Sequence, residues 1–187
     1  MMFNRLFGKP QKSGPVKPAM SVDIVDITGH PELDFLFIRP SAESIQSALE
    51  AWVWLDLPTS TVIAVSAFGD MFFRVHNGSI WMLDTLEGNW TQVAKNFSDF
   101  VTQLQDEGGR DRFLLGGIVL GVRSRGMILA DGECYDFSVA PVIGAAIAAD
   151  NVEARTFRLK VHVAGQLNEQ IRRMPPGAQV QSFKISE

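Results

Sequence analysis

The chain has 187 residues, 46% of them apolar and 20% charged, with a formal net charge of −4. That is enough chain for one substantial core, and it lacks the concentrated basic excess of a nucleic-acid binder. The single cysteine, Cys134, excludes an intramolecular disulfide and a multi-cysteine zinc site and fits a reducing compartment. No apolar run approaches the roughly 18 residues of a membrane-spanning helix, and no signal-peptide pattern opens the chain, so the expected location is the cytoplasm.

Residues 1–20 hold Gly8, Pro10, Gly14, Pro15 and Pro18 among Lys9, Lys12 and Lys17, the composition of a loose basic arm. Its plain reading is a solvated terminus; its functional reading is contact with an acidic partner. Residues 21–187 are read as a single unit, with a possible subdivision near 56–60. Ser21 to Ile27 reads as a short strand ending at Thr28-Gly29, and Leu33 to Ile38 as a second apolar run closed by Pro40. Ser41 is an N-cap for a helix in which Ile45, Ala48, Leu49 and Trp52 make one buried stripe.

Thr61 to Ala67 is β-branched and apolar, as in a central strand. Asn77-Gly78 then predicts a two-residue type I′ hairpin turn. That turn would place Val75 opposite Ile80, Phe73 opposite Met82 and Met71 opposite Asp84 on one apolar face. The other face would carry Phe72, Arg74, His76, Ser79, Trp81 and Leu83, with Arg74 facing Trp81 for cation–π contact. A second reversal at Leu86–Asn89 returns the chain as Trp90 to Ala94, completing a meander of three or four strands. Asn96 caps a helix, with Asp99 forming a near-capping box. Phe97, Phe100, Val101 and Leu104 are its stripe, Gly108 is its stop, and it should pack over Phe73 and Met82.

Phe113 to Val122, broken by Gly116, Gly117 and Gly121, fits either a short helix or a pair of turns. Asp131-Gly132 is a turn before a strand over Glu133 to Val139. Gly144 to Ala149 is a small-residue loop, and Val152 to Leu159 is a further strand. Val163, Leu167, Ile171 and Met174 mark the face of a helix ended by Pro175-Pro176-Gly177. Glu169 is spaced for ion pairs with Arg172 and Arg173, and Ala178 to Ile185 supplies a last strand.

Catalytic and ligand-binding patterns are sparse. Cys134 sits in an apolar strand as a small hydrophobe, although pairing with His162 stays open. His30, His76 and His162 lack metal-ligand spacing. Gly116-Gly117-x-x-x-Gly121 lacks the lysine and flanking order of a phosphate loop. Asp70, Asp84, Glu87, Asp99, Asp106 and Glu107 form either a solvated acidic rim or a surface complementary to a basic partner. Trp52, Trp54, Trp81 and Trp90 serve a core or an interface, and Trp81 is the one that suggests binding.

Three blocks, Ala67–Arg74 (AFGDMFFR), Gly78–Gly88 (GSIWMLDTLEG) and Asn96–Leu104 (NFSDFVTQL), resemble the sheet-and-helix unit of bacterial contact-dependent and type VI secretion immunity proteins. Gly132–Gly144 (GECYDFSVAPVIG), Asn151-Val152-Glu153 and Val161–Gly177 (VHVAGQLNEQIRRMPPG) resemble the C-terminal part of one such family, the type VI DNase-immunity proteins. The resemblance runs from about Ala67 onward. Phe7-Gly8-Lys9-Pro10 faintly resembles the glutamate-domain-like module that precedes this part in the family. Asp136 stands where the family has a glycine, and Ala145 where it has the second of a glycine pair.

The resemblance implies an α+β fold with a mixed or antiparallel sheet and binding of a cognate secreted toxin, without implying which; the toxin expected is a DNase, and the residues themselves predict no catalysis, cofactor or metal. The fold expected is an antiparallel meander sheet with packed helices and a C-terminal strand–helix–strand unit. Arg74, Trp81, Asp84 and Glu87 are the partner-binding candidates. The alternative functions are a regulatory or scaffold module that binds a cellular protein, and a small-molecule enzyme.

Overall fold

The computed structural model describes residues 20–25, 31–141, 144–175 and 184–185. The predicted arm up to Ala19, the Thr28-Gly29 turn, His30 and most of the expected last strand lie outside the described residues. The chain opens with strand β1 (Met20–Val22), a 3-10 turn over Pro31–Leu36 and strand β2 (Phe37–Ile38). The apolar run at Leu33 to Ile38 is therefore mostly 3-10 turn. Helix α1 (Ala42–Leu49) follows, with Ser41 Oγ accepting from the Ser44 amide at 3.1 Å. Its stripe of Ile45, Ala48, Leu49 and Trp52 is buried, with Trp52 carried on a 3-10 continuation over Glu50–Leu55.

Strands β3 (Ser60–Ser66), β4 (Met71–Val75), β5 (Ile80–Asp84) and β6 (Asn89–Ala94) form the expected four-stranded antiparallel meander. β1 pairs parallel with the start of β3, and β2 pairs antiparallel with its end, so the sheet is mixed. Both of its faces are buried. Ile63, Phe72, Ile80 and Met82 point into one core; Val62, Val65, Met71, Phe73 and Leu83 point into the other.

The β4–β5 register differs from the expected one by one residue. Met71 pairs with Leu83, Phe72 with Met82, Phe73 with Trp81 and Arg74 with Ile80. The connection is a three-residue loop: the Gly78 amide bonds Val75 O at 2.9 Å, the Val75 amide bonds Ser79 O at 3.1 Å, and Gly78 takes φ +82°. Asn77 stays out of the left-handed region and instead accepts from the Ser79 amide and hydroxyl through Oδ1. This is a type I turn closed by a left-handed glycine, not a type I′ turn. A one-residue slip exchanges the faces on which facing side chains meet.

Helix α2 (Phe97–Gln105) is capped as predicted, Asn96 Oδ1 accepting from the Asp99 amide at 2.9 Å. It covers Phe72, whose ring is 4.8 Å from Phe100, and shares a core with Met82; Phe73 lies on the other face. α2 stops at Gln105, before Gly108, because Asp106 caps a new helix, α3 (Glu107–Leu114), by accepting from the Gly109 amide. Leu115, at φ +52°, turns the chain into α4 (Gly116–Ser124). The glycine-broken run is thus two helices.

Strands β7 (Glu133–Phe137) and β8 (Val152–Thr156) pair as a hairpin, and the Tyr135 amide bonds Ala67 O at 2.8 Å, tying that hairpin to the end of β3. Helix α5 (Phe157–Arg172) begins inside the segment expected to be strand. Its buried positions are Phe157, Val161, Gly165 and Asn168, whereas Val163, Leu167, Ile171 and Met174 are only half-buried. α5 lies on the second face of the sheet beside α1. Trp52 Nε1 donates to Val161 O at 3.0 Å and Trp54 Nε1 to Gly165 O at 3.2 Å. A Cβ on Gly165 would sit 2.7 Å from Ala51 O, so the helix reaches this closeness only with glycine there.

Candidate functional site

The four partner-binding candidates occupy two places. Phe73 pairs with Trp81 and Arg74 with Ile80, so Arg74 and Trp81 point to opposite faces of the sheet and make no cation–π pair. Arg74 instead meets Asp23 at 3.7 Å, both side chains well exposed. Trp81 is half-buried; it stacks on Trp90 with centroids 5.5 Å apart and donates through Nε1 to Ser79 Oγ at 3.0 Å. Asp84 lies three residues along β5 from Trp81, about 10 Å at strand rise, at the far end from the Asn77-Gly78 loop.

That far end is a polar junction. Asp70, only 5% exposed, follows β3 and accepts through Oδ1 from both the amide and the hydroxyl of Thr85 at 2.8 Å, and through Oδ2 from Ser66 Oγ at 3.1 Å. Asp84 Oδ1 accepts from the amides of Leu86 and Glu87, at 2.8 and 2.9 Å, and so shapes the turn into β6. Glu87 is exposed at the tip and takes a bond from Asn89 Nδ2. From α5, Lys160 Nζ donates to Phe68 O and to Thr85 Oγ1, each at 2.7 Å, and Asn168 Nδ2 donates to Thr85 O at 3.3 Å. A cavity of about 110 Å³ opens beside the junction, with Leu115, Pro141, Val163 and Leu167 on its walls.

Asp70, Asp136 and Lys160 line that cavity, and Asp84 stands close enough to Asp70 to feel its charge. Burial, then the neighbouring Asp70 charge, pushes the Asp84 carboxyl up to about 6. Burial also raises the Asp136 carboxyl, against the opposing pull of Lys160. Fourteen residues separate Asp70 from Asp84 in the chain; their approach is a product of the β4–β5 pairing and is missed by a search for local motifs.

The other candidate groups are placed differently. Cys134 is fully buried and burial pushes its thiol up to about 12, the reverse of an activated nucleophile. His76 is exposed on the hairpin loop, and His162 lies within α5 rather than at its start. Among the described residues, no three of His, Cys, Asp and Glu gather as a metal site. No helix among them is long and apolar enough to cross a membrane.

Residues 94–168, which run from the last residue of β6 to the Asn168 of the junction, match the model of a family described as T6SS immunity protein Tdi1, C-terminal. Over this region the chain is similar to the Tdi1 C-terminal family of type VI secretion immunity proteins. No curated protein gives a significant match to the chain. The matched region begins later than the resemblance read from Ala67, and it excludes most of the meander. It supplies Asp136, Lys160 and Asn168 to the junction, while Asp70, Asp84 and Thr85 come from a strand end and the turns before it.

Proposed function

We propose that this chain is an immunity protein that binds a cognate antibacterial toxin delivered by type VI secretion and neutralises it by covering its active surface. The family match over residues 94–168 carries this reading. In its finer form the toxin is a DNase, the protein acts in the cytoplasm by binding without turnover, and residues 21–187 act as one unit. A net charge of −4 and the exposed Glu87 support a basic partner such as a nuclease, whose approach complementary charge would accelerate. We place the toxin contact first at the Asp84–Glu87 turn. Trp81, a half-exposed aromatic of the kind that anchors interfaces, is a second contact point, and Arg74, on the opposite face, is a third.

The test is co-expression with the toxin encoded beside this gene. Growth restored by the intact chain, with chromosomal DNA left undegraded, is the expected outcome. Absence of both binding and protection overturns the reading. Glu87→Lys is the informative variant, because Glu87 is exposed whereas Asp84 also builds the turn; it should weaken toxin binding and reduce its salt sensitivity. Unchanged binding would remove the acidic turn from the interface.

A further inference from the structure

We propose that Lys160 and Asn168 of α5, acting through Thr85, are positioning residues that hold the Asp84–Gly88 turn in the shape it presents to the toxin. This rests on the reading that the turn contacts the toxin. A surface turn between two strands is ordinarily free to vary. This one is anchored from inside the molecule.

Thr85, 1% exposed, is the most deeply buried side chain of the turn. Its amide and hydroxyl donate to Asp70, its hydroxyl oxygen accepts from Lys160, and its carbonyl accepts from Asn168. Every polar group of Thr85 is therefore used, and two of its partners come from a helix at least 75 residues further along the chain. Lys160 also donates to Phe68 O, in the neighbouring Ser66–Asp70 turn, so one ammonium fixes both turns at this end of the sheet. Gly88 lies so close to Asn168 that a Cβ would stand 2.7 Å from the Asn168 Cγ. The turn rests directly on the helix.

Thr85 is held by hydrogen bonds rather than by apolar packing, and buried polar networks fix geometry when every member is satisfied. Here they are satisfied: no buried side-chain nitrogen or oxygen among the described residues lacks a partner. Among the described residues, Asp84 and Glu87 bond only within the turn or to Asn89, and the exposed Glu87 is open to a partner while Thr85 sets where it stands. The junction also joins the two parts of the chain, because Lys160 and Asn168 belong to the matched region and Thr85 does not.

The experiment compares Thr85→Val, which keeps the shape and loses the hydroxyl, with Thr85→Ser, which keeps the hydroxyl. Amide hydrogen exchange is measured on the isolated full chain, and affinity is measured for the toxin encoded beside this gene. We expect Thr85→Val to speed exchange at residues 86–88 about tenfold or more, to leave the β3 amides of residues 62–65 protected, and to weaken toxin binding at least tenfold. Thr85→Ser should stay near wild type in both, and Asn168→Ala should behave like Thr85→Val. If Val behaves as well as Ser, the threonine merely packs and the proposal is overturned. If exchange rises but affinity does not change, while Glu87→Lys does weaken binding, positioning for the toxin is overturned with the contact reading intact. If Glu87→Lys itself binds normally, the contact reading fails, and the claim that the clamp serves binding fails with it.

Discussion

Asp84→Asn isolates the electrostatic cost of the junction. In the folded protein the Asp84 carboxyl is raised from an ordinary 3.8 to about 6, by burial and by Asp70. Two units of pKa correspond to about 3 kcal/mol; allowing for partial exposure and for the charge shared with Asp70, about 1–3 kcal/mol is the expected range. A raised carboxylate pKa means that the folded state prefers the protonated form. Its contribution to stability is therefore complete below pH 4 and lost as the pH rises through 6. At pH 7.5 the wild type carries an ionised Asp84 at a cost that asparagine avoids, while Asn Oδ1 can still accept from Leu86 and Glu87. Urea unfolding of both proteins between pH 4.5 and 8 should show Asp84→Asn more stable at pH 7.5 by that amount, with the difference shrinking towards pH 4.5. A pH-independent difference, or one that grows on acidification, would refute the reasoning.

Gly165→Ala should cost about 2–4 kcal/mol in thermal or urea unfolding, since the new methyl meets the Ala51 backbone oxygen and neither backbone can yield cheaply. Trp52→Phe removes the bond to Val161 O and shrinks a fully buried side chain, for a loss of about 1–3 kcal/mol by the same measurement. Cys134 should resist a disulfide reagent at pH 8 in the folded protein and react at once in denaturant, and Cys134→Ala should still protect cells from the toxin. Trp81→Ala should weaken toxin binding by about 1–2 kcal/mol in calorimetry if Trp81 anchors the interface.

Elements that announce themselves locally were legible in the chain. Ser41 and Asn96 cap their helices with their own side chains, and β3 to β6 carry the apolar and turn residues of a meander. The hairpin register was not legible, because Met71, Phe72 and Phe73 are all buried: with a core on both faces, alternation cannot choose between two registers one residue apart. Asn-Gly serves either loop, since Asn77 uses its side chain rather than a left-handed backbone. The face of α5 was hidden for a related reason. Two of its four buried positions are glycine and asparagine, chosen for close approach to Ala51 and for bonding Thr85, so the apolar periodicity points to the half-buried side instead. The Asp70–Asp84 approach depends wholly on strand pairing.

The bond from Trp52 to Val161 joins residues 109 positions apart. A ribosome adding roughly 5–20 residues per second needs about 5–20 s to cover that distance, and until α5 emerges, one face of the sheet is covered only by α1 and its 3-10 continuation. On the proposed immunity reading, protection needs α5 in place: a chain ending before residue 157 should give no partial immunity and should be a substrate for chaperones and proteases.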